Sequence, residues 1–187
     1  MKQIAKPYFN AKPEHITQKF GVNPNQYQPN GHTGVDFAFA NCYGAFLTAP
    51  ADCEVIKIIT DETFDNDFYP AFNRGYGILL QDLAEPRYEY LFWHCLQSFP
   101  VRVGAIVKQG EVVAQMGNSG LCYSNGALVP LKNRGTKGTH LHFEVRFGGK
   151  CIDPLPLIDW NISVKPNKLQ AIQSFLMQIN NFIRNRK

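Results

Sequence analysis

Short apolar runs separated by turn residues fill the middle of the chain. Gly, Pro, Asn and Asp bound most of the runs, and β-branched and aromatic residues are frequent inside them. Runs of this length and composition are typical of antiparallel β-strands. They lie at 35–39, 54–59, 76–81, 88–93, 101–107, 111–116 and 141–147. The pattern predicts a mainly β fold, an antiparallel sheet over residues 31–160, with residues 1–30 forming a lead-in strand and a loop.

Residues 165–187 have a different periodicity. Pro166 lies near the start of this tail, where helices tolerate proline, and basic residues near its end complement a helix dipole. We expect a C-terminal amphipathic α-helix that packs on the β domain, which favours a monomer; self-association or binding of a partner is the alternative. Its apolar positions, at helical spacing, are Leu169, Ile172, Phe175, Leu176, Ile179, Phe182 and Ile183.

Two polar insertions, residues 61–74 and 121–137, interrupt the strand pattern. Long loops in a compact domain tend to form functional walls or lids, and the second insertion leads directly into His140. Surface decoration is an equal alternative for the first insertion and a weaker one for the second.

Composition and charge narrow the possible functions. The chain has 187 residues, 44% hydrophobic and 18% charged, as expected for one folded domain with a tail. The net charge of +4 comes from the tail: without its five basic residues, 14 Lys and Arg stand against 15 Asp and Glu. Basic residues are therefore not clustered on the β domain, and nucleic-acid binding has little support.

The sequence contains no run of apolar residues long enough to span a membrane, and its first residues lack an apolar signal region. We therefore expect synthesis in the cytoplasm without a signal peptide. The cysteines are odd in number, widely spaced and without a CxxC pair, which favours reduced and mostly buried thiols. They are Cys42, Cys53, Cys95, Cys122 and Cys151.

Histidines and carboxylates are concentrated in two short segments. The first carries His32 and Asp36, and the second carries His140, His142 and Glu144. Side chains alternate faces along a strand, so the second set shares the face opposite its apolar neighbours. Residues two apart on a strand lie about 7 Å apart, so either or both histidines could ligate one ion. Imidazole and carboxylate are zinc ligands, and the two segments together predict a zinc hydrolase site.

The first segment must bend for its two candidate ligands to meet. In a fully extended strand, His32 and Asp36 would lie roughly 13 Å apart, which is too far to hold one ion. Gly31 and Gly34 predict the bend, because glycine adopts positive φ without a steric penalty.

Each of these residues also has an ordinary structural explanation. Asp36 would be a turn carboxylate, and Glu144 with Arg146 would be a cross-strand charge pair. His94, in an apolar run, would be a hydrogen-bonded core residue, and His15 would lie at the surface. These explanations would all have to hold independently, which favours a site.

Several motifs occur in one order along most of the chain. They are His32-xxx-Asp36, Gly75-Tyr76-Gly77, His94 at the end of an aromatic run, Val103-Gly104-xx-Val107-xx-Gly110, Gly117-Asn118-Ser119-Gly120, and His140-Leu141-His142-Phe143-Glu144-Val145-Arg146 before Asp153-Pro154. In this order they resemble the lysostaphin/LytM-type zinc endopeptidases, which cut peptide cross-links of bacterial cell wall. The resemblance covers residues 16–157.

The resemblance implies a duplicated-hybrid-motif half-barrel that acts on the peptides of bacterial peptidoglycan. By the same resemblance, His32, Asp36 and His142 would hold one Zn²⁺, and His140 and His94 would be catalytic. One of these two would take a proton from water and return it to the leaving amine, while the other stabilises the oxyanion.

Glu144 lies on the same face and is expected to orient His142 or His140 from outside the ligand set. As the base of an ordinary metallopeptidase it is the third choice, after His140 and His94.

The chain departs from the family pattern at two places. The usual Tyr-x-His-Leu reads Phe92-Trp93-His94-Cys95, which removes a phenol near the site, and residues 121–137 separate the turn at Gly120 from the HxH strand. We expect the insertion to alter the groove wall and hence the specificity. A short enzyme of this kind that lacks a leader sequence is similar to bacteriophage lysis or virion proteins.

Two alternatives belong to other classes of protein. A histidine phosphocarrier of the related barrel fold would pass phosphate through a histidine pair, but such carriers lack an HxxxD aspartate, so Asp36 argues against this function. A metal-bearing binding module of a virion or cell wall, without turnover, is the second alternative.

Overall fold

The computed structural model describes residues 2–23, 30–60, 75–124, 126–130 and 134–162. Within these ranges the chain forms twelve β-strands, and its helical residues are confined to two 3₁₀ helices, Pro13–His15 and Leu155–Leu157. The mainly β, antiparallel prediction is confirmed. The predicted helix over 165–187 and the insertion at 61–74 lie outside the described residues. In the described part, no helix is of a length and apolarity that could cross a membrane.

The strands follow the predicted apolar runs closely. They are β1 (Ile16–Gln18), β2 (Val35–Phe37), β3 (Phe46–Thr48), β4 (Cys53–Ile59), β5 (Tyr76–Asp82), β6 (Tyr88–Cys95), β7 (Ile106–Val107), β8 (Val112–Gln115), β9 (Tyr123–Ser124), β10 (Ala127–Leu128), β11 (Leu141–Phe147) and β12 (Lys150–Ile152). The apolar runs do not predict β3, β9, β10 and β12, because strands of two or three residues are too short to show an alternating pattern.

The predicted strand over 101–107 is wrong for residues 101–105. Gly104 adopts a φ of +80°, and the Ala105 amide donates a hydrogen bond of 3.0 Å to the Arg102 carbonyl. The chain therefore turns here before it forms β7. Val103, which a strand in this sheet could bury, is instead 57% exposed.

One eight-stranded sheet organises the domain. Its order is β1-β2-β11-β6-β5-β4-β7, and β12 pairs with the second half of β11. Two smaller sheets pair β3 with β8 and β9 with β10. β11 is therefore hydrogen-bonded along both edges, by β2 and β12 on one side and by β6 on the other.

The core lies against one face of β11. Leu141, Phe143 and Val145 have no exposed surface, and neither do Val35 and Phe37 of the neighbouring β2. Burial of each such side chain stabilises the fold by about 1.5–3 kcal/mol. The predicted alternation along β11 is confirmed, because the histidine and glutamate residues lie between these core positions.

All five cysteines are unbridged thiols, as expected from their spacing. Cys42, Cys53, Cys95 and Cys122 are buried, and Cys151 is partly buried. Burial raises the pKa of the Cys53 thiol to about 12, with the nearby Asp82 carboxylate as the second cause. Burial also raises the pKa of the Cys42 and Cys95 thiols, so these three thiols stay protonated at neutral pH and contribute to packing.

Asp82, at the end of β5, ties the N-terminal segment to the sheet. Its carboxylate accepts hydrogen bonds from the Tyr90 hydroxyl at 2.7 Å and from the Ala84 and Glu85 amides at 2.9 Å. Lys2 forms an ion pair with it at 2.6 Å. Burial opposes ionisation, but Lys2, Tyr90 and the Glu85 amide outweigh it and hold the pKa of Asp82 below its usual value of 3.8.

Replacing this carboxylate should destabilise the fold in a pH-dependent way. Asp82→Asn leaves Lys2 without its partner, and we expect it to lower the free energy of unfolding at pH 7 by about 1–3 kcal/mol. Because the folded-state pKa is depressed, the stabilisation is present above the unfolded-state pKa and is lost as pH falls through the folded-state pKa. Denaturant titrations at pH 7 and pH 3 should therefore show a smaller difference from wild type at pH 3.

Asp52→Asn is the matched control. Asp52 pairs with Lys108 at 2.8 Å, but its side chain is 48% exposed, so its loss should change stability little. If the free energies of unfolding of wild type and Asp82→Asn differ equally at both pH values, the stabilisation does not come from the ionised Asp82 carboxylate.

Candidate metal centre

Two neighbouring strands position the candidate ligands. Asp36 of β2 lies directly opposite His142 of β11 in the antiparallel register. His32 reaches the same point from the turn before β2. Gly31 adopts a φ of +81°, and a Cβ there would lie 2.6 Å from the Gly21 carbonyl oxygen, so only glycine suits this position. Residues 33 and 34 form a bend that brings Nε2 of His32 within 3.1 Å of Oδ1 of Asp36, so the predicted bend between the two candidate ligands is confirmed.

Gly34 contributes to the site in a different way from the one predicted. Its φ is not positive, but a Cβ at this residue would collide with the Phe143 carbonyl and would lie 3.0 Å from Nε2 of His142. Gly34 therefore allows the chain before β2 to approach β11 closely.

The three candidate ligand atoms form a compact triangle. Nε2 of His32 lies 2.8 Å from Nδ1 of His142, and that Nδ1 lies 2.9 Å from Oδ1 of Asp36. The third side, from Nε2 of His32 to Oδ1 of Asp36, is 3.1 Å. All three side chains are buried, and together they are a group that could hold a metal ion.

In His32 and His142, the ring nitrogen that points away from the triangle determines whether the other nitrogen carries a proton. Nδ1 of His32 lies 3.1 Å from the Lys19 carbonyl oxygen, which can only accept a hydrogen bond, so this nitrogen carries the proton. Nε2 of His142 lies 3.0 Å from the Glu144 carboxylate and likewise donates. In the neutral imidazoles, Nε2 of His32 and Nδ1 of His142 therefore present lone pairs to each other and to Asp36.

A cation fits this arrangement. Three lone-pair atoms at 2.8–3.1 Å repel one another unless a positive charge lies among them. The ligand atoms of a tetrahedral Zn²⁺, with bonds of about 2.0–2.1 Å, lie about 3.3 Å apart. The donor set and its spacing therefore suit a small tetrahedral ion that keeps one position open.

Glu144 lies behind His142 and has no exposed surface. Its Oε1 accepts hydrogen bonds from the Thr33 hydroxyl at 2.7 Å and from His142, and its Oε2 accepts one from Arg146 at 2.9 Å. The charge pair with Arg146 is present together with the contact to His142, but both residues lie on β11, so the predicted cross-strand pairing is wrong. Sequence reasoning missed Thr33, although its place between His32 and Gly34 in the first motif could have indicated it.

His94 and His140 lie beside the triangle, with their ring centroids 4.4 Å apart. Nε2 of His140 is 4.0 Å from Oδ2 of Asp36. Nδ1 of His94 donates to the Ser119 carbonyl, and Nδ1 of His140 donates to the Gly138 carbonyl, each at 2.8 Å. Both histidines therefore keep an unprotonated Nε2 in the neutral state. All five site residues expected from the sequence meet in one cluster.

A model of Peptidase family M23 matches residues 30–154. This chain belongs to Peptidase family M23. An uncharacterized metalloprotease from Haemophilus influenzae is 30% identical over 138 residues, which make up 71% of this chain and 23% of that protein. The chain thus spans less than a quarter of that relative's length.

Solved structures confirm the M23 resemblance at the level of the fold. LytU is 28% identical with a TM-score of 0.54, over 76% of this chain and 82% of LytU. The catalytic domain of the antimicrobial peptidase lysostaphin from Staphylococcus simulans is 20% identical with a TM-score of 0.54, over 75% of this chain and 89% of that domain. A zinc-containing peptidase from Vibrio cholerae is 22% identical with a TM-score of 0.54, over 89% of this chain and 41% of that one. The last two similarities show a shared fold alone.

The charges of the M23 site favour a cation at its centre. Burial opposes ionisation of Asp36, but the contacts of its carboxylate with His142 and His32 outweigh it and hold the pKa of Asp36 well below its usual range. Without a metal, these contacts are hydrogen bonds only if one of the facing nitrogens takes up a further proton. Burial lowers the pKa of His142, but the Asp36 and Glu144 carboxylates outweigh it and raise that pKa. In the absence of a metal, a proton is therefore stabilised here, and metal binding would displace it.

His94 is held neutral, and its backbone is strained. Burial, and then the nearby His140 and His142, keep the pKa of His94 well below its usual range. Its φ of +61°, at the end of β6, lies in the left-handed region that non-glycine residues avoid. Such a conformation costs roughly 1–3 kcal/mol and is concentrated at functional sites. The strained backbone supports the assignment of His94 to the candidate site.

The insertion at 121–137 borders the site. Its described part contains the hairpin of β9 and β10. A cleft of about 440 Å³ lies between Tyr123 of this hairpin and Phe39, and it reaches His140. The insertion therefore forms part of the wall next to the candidate catalytic histidines.

His15 differs from its predicted surface position. Its ring stacks on Phe39 with centroids 4.9 Å apart, and its Nδ1 lies 2.9 Å from the Tyr8 hydroxyl. The short 3₁₀ helix that contains it packs on the β domain, which the polar sequence around it did not indicate.

Single substitutions should separate metal binding from proton transfer. His142→Ala removes one of three ligand atoms and should yield protein poor in metal, whereas His140→Ala should retain the metal and lose about 10²–10⁴ in rate. His94→Ala should behave like His140→Ala. Metal analysis of the purified proteins gives the first readout, and peptide hydrolysis gives the second.

His15→Ala serves as the control, since this histidine lies outside the triangle, and it should retain both metal and activity. Loss of metal from His140→Ala, together with retention in His142→Ala, would reverse the two assignments.

Proposed function

We propose that this chain is a zinc-dependent endopeptidase that hydrolyses peptide cross-links of bacterial peptidoglycan. The observation that carries the proposal is the buried triangle of His32, Asp36 and His142 with two further histidines beside it. Family membership supplies the reaction class, and the resemblance to lysostaphin/LytM-type enzymes supplies the substrate class. The proposed place of action is the bacterial cell wall.

His32, Asp36 and His142 would hold the ion. When bound, Zn²⁺ supplies a Lewis acid that polarises a carbonyl group and lowers the pKa of water. Two neutral imidazoles and one carboxylate leave a net charge of +1 on the ion, which keeps it electrophilic. The contact from Glu144 fixes the ring of His142, and outer carboxylates of this kind also raise the basicity of the ligand.

Two histidines of this chain are suited to move the proton. His94 and His140 each hold Nδ1–H against a backbone carbonyl, which leaves the unprotonated Nε2 as the base. Either can accept the proton of the attacking water. The imidazolium so formed has Nε2–H, which can stabilise the developing oxyanion or protonate the leaving amine.

The position of Asp36 argues against the phosphocarrier alternative. Its carboxylate lies within 3.1 Å of nitrogens of both His32 and His142. A phosphoryl group on either nitrogen would meet this buried negative charge, which disfavours it strongly.

Digestion of purified peptidoglycan tests the proposal. The wild-type protein should release soluble fragments and new free amino groups, and mass spectrometry of the fragments identifies the bond that is cut. A chelator should abolish the release, and added Zn²⁺ should restore it.

His140→Ala, loaded with zinc, is the matched control for adventitious hydrolysis. If zinc-loaded wild-type protein binds peptidoglycan without releasing any amino groups, the chain is a binding module and the proposed enzyme function is wrong.

A further inference from the structure

The insertion at 121–137 contains a buried cation, Arg134, which is 7% exposed. Its guanidinium group donates hydrogen bonds to backbone carbonyls on either side of Ser119. One NH group contacts the Asn118 carbonyl and also the Gly120 carbonyl at 2.6 Å. The other terminal NH group donates to the Val129 carbonyl at 2.7 Å, within the insertion itself. Arg134 thus binds the insertion to the turn at 118–120.

Asn118 makes the reciprocal contacts. Its side-chain amide donates to the Gly135 carbonyl at 2.9 Å and to the Lys137 carbonyl at 2.8 Å. Each of the two side chains therefore holds the backbone next to the other. We refer to Arg134, Asn118 and these contacts as the Arg134–Asn118 clamp.

The clamp lies next to the two carbonyl groups that orient the candidate catalytic histidines. The Ser119 carbonyl, between the two held by Arg134, accepts Nδ1–H of His94 at 2.8 Å. The Gly138 carbonyl, one residue after the last one held by Asn118, accepts Nδ1–H of His140 at 2.8 Å. Both histidines therefore depend on backbone that the clamp holds in place.

We propose that Arg134 and Asn118 are positioning residues that act through these two carbonyls. Arg134 fixes the Ser119 carbonyl and so holds His94 in the Nδ1–H tautomer. Asn118 fixes the chain that leads into Gly138 and so holds His140 in the same tautomer. The insertion thus supports the proton-transferring groups in addition to forming a wall.

The type of side chain supports this role. A guanidinium group has several N–H donors in a rigid planar fork, so it can hold several carbonyl groups at once. An ammonium group is a point charge on a flexible stem and defines the positions of its partners less well. A clamp that only closed the loop would not need to meet the residues on both sides of Ser119.

The kinetic part of this inference rests on the proposed peptidase function, while the tautomer part does not. Histidine tautomers can be read from two-bond ¹H–¹⁵N correlation spectra of zinc-loaded protein labelled with ¹⁵N-histidine. In the wild type we expect His94 and His140 to show protonated Nδ1 and unprotonated Nε2. Variants that each lack one of the five histidines assign the signals to residues.

The two halves of the clamp should affect different histidines. Arg134→Gln should mix the tautomers of His94 most strongly, and Asn118→Ala should do so for His140. Both variants should keep their zinc. Each should lower kcat for peptidoglycan hydrolysis by roughly 10–100-fold with little change in KM, since small displacements of a catalytic group carry costs of this size.

Lys150→Gln is the matched control, because it removes an exposed positive charge that takes no part in the clamp. It should leave the tautomers and kcat unchanged. Arg134→Lys keeps the charge without the fork and should recover only part of the activity and of the tautomer signal.

Folded Arg134→Gln and Asn118→Ala proteins with wild-type tautomer signals at both histidines would overturn the proposal. If Arg134→Gln does not fold, Arg134→Lys and Asn118→Ala decide in the same way. If the wild type fails to digest peptidoglycan, the proposed function is wrong, but the tautomer spectra still decide whether the clamp positions the histidines.

Discussion

Repulsion between three lone-pair atoms is the constraint around which this site is built. Two imidazole nitrogens and a carboxylate oxygen meet at 2.8–3.1 Å in a buried position, where water cannot screen them. The outer contacts of His32 and His142 direct the ring protons away from the triangle. Such an arrangement is stable only with a positive charge at its centre. The surrounding fold holds the atoms in place against this repulsion.

The sheet provides that support through its register. A slip of one residue in either β2 or β11 would turn the side chains of that strand to the opposite face of the sheet. Asp36 and His142 would then lie on opposite faces. The fully buried Leu141, Phe143 and Val145 prevent the slip, because it would expose them or bury polar groups in their place. Hydrogen bonding along both edges of β11 adds to this. The free energy of core packing is thus what fixes the geometry of the site.

The sequence predicts the parts of this structure that depend on local periodicity. Alternation with period two in 141–147 indicates which residues share the polar face, and the bend between His32 and Asp36 follows from the distance that these two side chains must close. Backbone hydrogen-bond acceptors cannot be predicted in this way, because every residue has a carbonyl group. Ser119 and Gly138 accept the histidine protons only because the tertiary fold brings their carbonyls close to His94 and His140. The turn at 101–105 could not be recognised because its apolar residues resemble those of a strand, although Val103 is exposed. The helix expected over 165–187 stays a prediction.

The left-handed backbone of His94 has a consequence for how this chain can evolve. Glycine or asparagine at this position would relieve the backbone strain while removing the imidazole that is proposed to be catalytic. Selection for stability and selection for catalysis therefore act in opposite directions at one residue. A lineage that no longer needed the activity would drift readily toward a more stable, inactive protein by this single change. The strained backbone at His94 is thus a cost in stability that the proposed site carries.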